Sequence, residues 1–292
     1  MKLNFDHIKN EIMSPGNIFW KKNNGSDVLI SKKGDVLNHQ FIKKLVTADC
    51  NLFIVDGIDY DHHNSMYALY VKYSEELLMR DKIKLREELI EKLQVEFVGT
   101  SKSQFEFNQL AWKFFSKFNQ VETLAFTEKD SALFKRHLNV ASSYAFCAFL
   151  LGYYESSFLS NLFTTTLKNL MELGDSIHVM SLKEKIEYLR MQDSFNEGDF
   201  ENAVEFGSDV QISKTMLFER YDGSGINHIN SREMSDLEIV LVALNRTYGF
   251  DEDDHTNVLS EIMNGEIKCT DRILKMLQRV LIIRSEAQVA SA

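Results

Sequence analysis

The chain has 292 residues, of which 44% are hydrophobic, and a formal charge of −10. This length is sufficient for one large or two modest globular domains, and the acidic balance argues against a general nucleic-acid-binding protein, which needs a basic surface to replace the counterions on phosphates. Three widely spaced cysteines, and the lack of any apolar run of about 20 residues, predict a cytoplasmic protein without a cysteine metal site or a membrane-spanning helix.

The first 60 residues predict a small α+β domain. Two apolar runs flank a turn rich in glycine and asparagine, an order that is typical of a β-hairpin. Helical spacing then follows Asn38, which is a plausible capping residue, and a short apolar run predicts a buried strand. The predicted elements are strands at Asn17–Trp20 and Val28–Ser31, a helix at Phe41–Val46 and a strand at Leu52–Val55.

A single long amphipathic helix is predicted within residues 61–104, after a charged start at Asp59–His63. Apolar residues recur at helical spacing from Met66 to Leu93, among many lysines and glutamates. At about 1.5 Å per residue such a helix would reach roughly 45 Å, which suits a connector. Its apolar stripe, together with the N-terminal domain, predicts a homodimer; the alternative is that the stripe packs on its own chain.

Residues 105–292 predict a multi-helix domain. Proline is absent from this part of the chain, and apolar residues recur at steps of three and four. Turns are predicted at Gly152, at Asp222–Gly225 and at the acidic run Asp251–Asp254. The predicted helices lie at Ala111–Phe118, Val140–Leu151, Phe158–Leu173, Leu237–Tyr248 and Ile273–Ile283.

The segment Glu219–Asn227, with the sequence E-R-Y-D-G-S-G-I-N, is the most specific part of the chain. It resembles the E-R-x-D-G-x-G-Y-P core of HD-GYP domains, the bacterial cyclic di-GMP phosphodiesterases. The resemblance extends by order and spacing over residues 130–285 and implies an HD-domain-like helical bundle. The aspartate and the two glycines are what a sharp turn between helices needs, whereas Ile226 and Asn227 replace the Tyr and Pro of the family.

The metal ligands that this resemblance implies are largely replaced. The family has a His-His pair before the core, and this chain has Leu217 and Phe218 there, which offer no ligand atom. An aspartate of the family is replaced by Asn245, and an amide is a poor substitute for a carboxylate at a multi-metal site. Two further ligand positions hold Gly174 and Ser194. The positions retained are His137 and Asp175, for which a buried imidazole and a helix cap are the alternative interpretations.

The resemblance therefore implies a pseudoenzyme of the HD-GYP family that needs no metal or cofactor. We expect an adaptor or scaffold in signalling related to cyclic di-GMP, with a signalling protein such as a diguanylate cyclase as partner. A second hypothesis is a cyclic di-GMP receptor that does not hydrolyse its ligand and uses Arg220, Asp222 and His178; a third is a phosphodiesterase with a rearranged site. From the residues alone, a buried Arg220–Asp222 pair that holds the loop is the simpler role for these two side chains.

Overall fold

The computed structural model describes residues 2–3, 5–9, 11–98, 104–118, 122, 131–172, 184, 214–225, 227–248, 252–278 and 281. It divides into two compact units, Met1–Lys135 and Arg136–Ala292. The described part is mainly helical and contains a small antiparallel sheet near its start. The predicted mainly α fold class with a small α+β portion is confirmed, and the residues of the predicted connector lie within the first unit.

The first unit begins with the predicted hairpin and helix. The turn between its first two strands closes through a hydrogen bond from the Lys22 N–H to the Ser26 carbonyl of 2.9 Å, and Asn38 caps the helix by accepting the Phe41 N–H at 2.9 Å. The strands form one sheet in the order β2-β1-β3, with antiparallel pairs throughout. The elements are α1 (Phe5–Ile8), β1 (Asn17–Lys21), β2 (Asp27–Ser31), α2 (His39–Thr47) and β3 (Asn51–Val55).

One face of this sheet carries the core of the small α+β portion. Ile18 of β1 and Leu52 and Ile54 of β3 are buried, and they pack with Ile42 of α2. Alternation along each strand places these side chains on the same face of the sheet. The short apolar segments from which the strands were predicted therefore contribute the buried side chains of this core.

The predicted connector is two helices, α3 (Tyr60–Glu75) and α4 (Met79–Val98), which is a correction to the single helix. Glu76 has extended backbone angles, and its carboxylate accepts the Leu78 N–H at 2.9 Å, so the chain leaves the helix there. The charged start is confirmed, because Asp59 caps α3 by accepting the His62 N–H at 3.0 Å. Most of the predicted apolar stripe is buried within the chain, whereas Leu69 is half-buried and Leu77 is exposed. The buried residues are Met66, Tyr70, Tyr73, Leu85, Leu89 and Leu93.

Helix α5 (Gln104–Phe115) holds the α+β portion through polar groups on one of its faces. Glu106 pairs with Lys33 at 3.0 Å, and Lys113 pairs with Glu11 at 2.9 Å. Between them, the Gln109 side-chain amide donates to the Met13 carbonyl at 2.8 Å. The three side chains stand three and four residues apart, which places them on one side of the helix.

The second unit is built from helices of high apolar content. In the helix Ser131–Leu151 every side chain from Val140 to Phe149 is buried, so this stretch is covered on all sides. The helix Asp236–Thr247 packs against a 3₁₀ turn at Lys214–Phe218 and against the two helices that follow. The helices are α6 (Ser131–Leu151), which begins in the first unit, α7 (Ser156–Glu172), α8 (Asp236–Thr247), α9 (Glu252–Met263) and α10 (Asp271–Leu277).

The acidic run that was predicted as a turn instead opens α9, which starts at Glu252. Negative charge is favourable at a helix N-terminus, where unpaired N–H groups and the helix dipole carry partial positive charge. The other predicted helices of this unit are confirmed with shifted ends; α10 is described from Asp271 to Leu277, and most of the predicted helix beyond it lies outside the described residues. No helix in the described ranges is long and apolar enough to cross a membrane.

Candidate functional site

The loop from Glu219 to Ser235 connects the 3₁₀ turn to α8. It begins with a turn in which the Gly223 N–H donates to the Arg220 carbonyl at 3.0 Å. The Asp222 side chain accepts the Ser224 N–H at 2.9 Å, two residues on, as the sequence predicted. Gly223 has φ +79°, a conformation that favours glycine. The predicted sharp turn is therefore confirmed at this loop.

A buried carboxylate organises the returning half of the loop. Glu219 has no exposed surface, and its side chain accepts the backbone N–H groups of Asn227 and Ile229. Buried backbone donors need such partners, and a carboxylate supplies them strongly. Sequence reasoning missed this role, although Glu219 is the first residue of the recognised motif; a glutamate directly before a glycine-rich turn was the available signal.

Gly225 is required by close packing and not by its backbone angles. A Cβ atom at this position would lie 2.5 Å from Glu219 Cα and 2.8 Å from the Arg220 nitrogen. Both of these are backbone atoms, which cannot rotate away. The glycine thus lets the outgoing chain cross directly over the incoming chain.

Tyr221 and Arg246 join the loop to the helices behind it. The Tyr221 hydroxyl donates to the Ile239 carbonyl of α8 at 2.9 Å, and the Arg246 guanidinium lies 5.7 Å from the centre of the tyrosine ring. Arg246 also makes a two-fold bond to Glu261 of α9, at 2.7 and 3.1 Å. The Arg246 side chain is 6% exposed and that of Glu261 is 25% exposed, so this ion pair is desolvated mainly on the arginine side.

An open cleft of about 430 Å³, the loop cleft, lies beside the turn. Tyr221 and Ile267 are its buried apolar residues, and Arg220 is half-buried. Asp222 is exposed, so the expected buried Arg220–Asp222 pair is wrong. The residues that line the loop cleft are Arg220, Tyr221, Asp222, Ser224, Arg246, Asn257, Glu261, Glu266 and Ile267.

Asp222 is held in its charged form. Hydrogen bonds from the Ser224 backbone N–H and side chain, with a smaller effect of the Arg220 charge, keep the pKa of Asp222 below its usual value. The carboxylate therefore presents a negative charge at the loop cleft at neutral pH.

Two positions at which the sequence resemblance implies metal ligands, Leu217 and Asn245, meet in this structure. Leu217 is buried in the 3₁₀ turn, and the side-chain amide of Asn245 on α8 donates to its backbone carbonyl. His137 is buried on α6, where its Nδ1 atom lies 3.2 Å from the sulfur of Met171 on α7. Within the described ranges, no group of three His, Cys, Asp or Glu side chains could hold a metal ion.

Four of the predicted positions fall outside the described residues: Gly174, Asp175, His178 and Ser194. Of the predicted ligand-binding set, the structure places Arg220 and Asp222 together on the loop cleft. It adds three residues that the sequence reasoning did not single out, namely Tyr221, Arg246 and Glu261.

We expect the stability contributed by Glu219 to depend on pH. Burial raises the pKa of this carboxyl above its ordinary value of 4.5, although the N–H groups of Asn227 and Ile229 act in the opposite direction. A carboxyl with a raised pKa in the folded state favours folding at low pH, and this advantage is lost as pH rises through the folded value. The free energy of unfolding of wild type, relative to Glu219→Gln, should therefore fall as pH increases above 4.5.

Urea unfolding of both proteins between acidic and neutral pH measures this difference. Glu155→Gln is the matched control, because it removes the same charge from an exposed glutamate of the same unit. A difference that increases with pH would contradict a raised pKa at Glu219.

No protein-family model and no curated protein matches the chain. The chain is similar to a solved structure of an HDG"Y"P protein from Bdellovibrio bacteriovorus. That similarity has 14% sequence identity and a TM-score of 0.33, and it covers 93% of this chain and 97% of the other.

Proposed function

We propose that this chain is an HD-GYP-like protein without phosphodiesterase activity, which acts as an adaptor or scaffold in cyclic di-GMP-related signalling. The observation that carries the proposal is the meeting of Leu217 and Asn245. These are two of the positions where the resemblance implies metal ligands, and here they bond to each other through a backbone carbonyl and a side-chain amide. The neighbouring loop keeps a defined shape, held by Glu219 and Gly225.

Loss of these ligands removes the chemistry that a phosphodiesterase needs. A bound metal ion supplies a hydroxide at neutral pH and stabilises the charge that develops on the phosphate. A leucine side chain cannot coordinate a metal, and Asn245 donates its amide to a carbonyl. The site retains the loop whose shape is held by Glu219 and Gly225, and a binding partner can recognise a surface of defined shape without any metal ion. Three free cysteines agree with a reducing compartment such as the cytoplasm.

The protein is therefore expected to hydrolyse no cyclic di-GMP above a metal-free control. The measurement is chromatography of the linear and mononucleotide products after incubation with added Mn²⁺ or Fe²⁺, together with metal analysis of protein purified without chelator. Turnover that disappears in His137→Ala, or one metal ion per chain after purification, would overturn the proposal. The Lys168→Ala variant, on the same helical unit, controls for a contaminating enzyme.

A second candidate function is a cyclic di-GMP receptor without hydrolysis. It is supported by the loop cleft, where Arg220 and Asp222 stand together and have the polar groups to contact a guanine edge. His178 is the third residue of the ligand-binding set that was predicted from the sequence. The charges at this cleft support it less, because three carboxylates and two guanidinium groups line the cleft and the ligand has two phosphates. Calorimetric titration with cyclic di-GMP separates a receptor from an adaptor.

A homodimer remains part of the proposal, with its contact reduced to the exposed part of the predicted stripe and two neighbouring residues. Most of the stripe on α3 and α4 is buried, but Leu77, which belongs to it, is 95% exposed, and Leu78 and Met79, the latter the first residue of α4, are 65% and 53% exposed. Burial of large exposed apolar side chains is favourable on association. Light scattering should give the dimer mass for wild type and the monomer mass for Leu77→Glu with Leu78→Glu. Monomer mass for wild type at micromolar concentration would contradict the dimer.

A further inference from the structure

The small sheet of the first unit carries apolar side chains on its outer face, where polar residues are usual. Leu29, Phe19 and Phe53 are direct cross-strand partners on β2, β1 and β3. They alternate with the residues that pack in the core, so they point to the opposite face. The two phenyl rings are half-buried and stack at 5.6 Å. Leu29 ends this apolar row at the edge of the sheet, and it is 41% exposed.

The free edge of β2 presents the backbone groups of Asp27 and Leu29. The Lys22 N–H donates to the Ser26 carbonyl, which makes these two residues a hydrogen-bonded pair of the β1–β2 ladder. Bonded pairs alternate with pairs whose N–H and C=O groups point away from each other. Val28 is therefore bonded to β1, whereas Asp27 and Leu29 direct their N–H and C=O groups outward. No described residue bonds to these outward groups.

This edge lacks side chains that would keep another strand away. Natural edge strands are commonly protected by lysine or proline, and β2 contains neither. The irregularity in the β1–β2 register lies beyond Leu29, so the ladder is regular from Asp27 to Leu29. Leu29 thus combines an exposed apolar side chain with outward backbone groups. The ligand that matches both features is a second extended strand.

Asp27 defines the second side chain that such a strand would carry. It is exposed, it lies on the same face as Leu29, and no described group bonds to its carboxylate. In an antiparallel partner, the residue opposite Asp27 comes two positions after the residue opposite Leu29. Opposite charges across strands are favourable, and so are apolar pairs. The matching segment therefore has an apolar residue, any residue, and then a lysine or arginine.

A short segment of another protein matches this edge better than a second copy of the chain does. The five residues of β2 cover about 17 Å of edge, whereas a stable dimer interface buries about 1,200 Å² or more. A segment that binds mainly through main-chain hydrogen bonds needs only this edge.

We propose that β2 binds an extended segment of the partner protein by antiparallel strand addition, with an apolar side chain opposite Leu29 and a basic one opposite Asp27. This inference rests on the proposed adaptor function and names the chemistry of its partner. Each residue of a bonded antiparallel pair exchanges two hydrogen bonds, so pairing at these two residues forms four. The apolar row would then extend from β3 across β1 and β2 onto the bound strand.

The experiment titrates the capped peptide Gly-Thr-Thr-Ile-Thr-Lys-Gly into the ¹⁵N-labelled full chain and follows the backbone amides by NMR. The Asp27 and Leu29 amides should shift most, because their N–H groups gain acceptors. Two N-methylated peptides are the controls. Methylation of the isoleucine nitrogen removes the donor that faces the Leu29 carbonyl and should abolish the shifts. Methylation of the threonine that follows, whose N–H points away from β2, should preserve them.

Two variants of the protein test the side-chain contacts. Leu29→Thr should weaken binding at least threefold. Val55→Thr is the matched control, because Val55 is 40% exposed on the same face but belongs to β3, and it should change binding far less. Asp27→Lys should reverse the charge preference, so that a peptide with glutamate in place of lysine binds better.

Four outcomes would overturn the inference. One is the absence of any shift at millimolar peptide. Equal effects of the two N-methylated peptides would show that the main chain is not used, and equal weakening by Leu29→Thr and Val55→Thr would show binding to the face without the edge. Shifts of the Asp27 and Leu29 amides with protein concentration alone would identify a second copy as the occupant. Hydrolysis and metal content report on the proposed function independently of peptide binding.

Discussion

Gly225→Ala is expected to destabilise the protein by about 3 kcal/mol, at the upper end of the range for overpacking. The added methyl group would lie 2.5 Å from Glu219 Cα and 2.8 Å from the Arg220 nitrogen. Relief of this clash requires the two halves of the loop to separate, which would also lengthen the bonds that Glu219 accepts from Asn227 and Ile229. Urea unfolding of wild type and variant measures the change in free energy.

Gly25→Ala is the matched control for this substitution. Gly25 has φ +84°, and nothing lies within 4 Å of an added Cβ atom there. Its replacement therefore costs only backbone strain, roughly 1 kcal/mol for a residue in the left-handed region. Equal effects of the two substitutions would contradict a steric requirement at Gly225.

Glu261→Ala is expected to cost about 3 kcal/mol, the lower end of the range for removal of one partner of a buried ion pair, because the Glu261 side chain itself is 25% exposed. The Arg246 guanidinium would lose two carboxylate bonds, of 2.7 and 3.1 Å, while its charge stays largely buried between α8 and α9. The pair also positions the ring of Tyr221, so the loop should loosen with it. Thermal and urea unfolding report the loss, and hydrogen exchange at the Tyr221 amide reports the loop.

The double variant Arg246→Leu with Glu261→Leu distinguishes the stability contributed by the ion pair from the stability contributed by side-chain packing at these two positions. Replacing both partners by apolar residues is often close to neutral, because no charge is left buried and unpaired. We expect the double variant to be more stable than Glu261→Ala. The opposite order would show that Glu261 acts through packing.

The elements that could be predicted from the sequence are short apolar segments with strong turn or capping residues at their ends. The hairpin around Gly25 and the helix capped by Asn38 are local features, so their residues decide them. The break between α3 and α4 has no proline or glycine. It coincides with a hydrogen bond that the Leu78 N–H donates to the Glu76 carboxylate, and apolar spacing carries no information about such a bond.

The candidate site was predictable only in part, for a similar reason. Asp222 acts on its own backbone two residues away, and the spacing of the motif indicates this directly. The partners of Arg246 and Glu219 are fixed by the three-dimensional path of the chain. Arg246 finds Glu261 on the next helix, and Glu219 bonds to N–H groups 8 and 10 residues ahead. No sequence periodicity marks such pairs.

The polar face of α5 bears on how this protein can be shortened or recombined. Glu106, Gln109 and Lys113 each bond to the α+β portion, through Lys33, the Met13 carbonyl and Glu11. A truncated chain that begins at α3 would leave all three side chains without these partners, and Gln109 and Lys113 lie in or near the core. The N-terminal α+β portion therefore cannot be exchanged for a different domain without further change. Such an exchange would require new side chains on α5 that match the new domain.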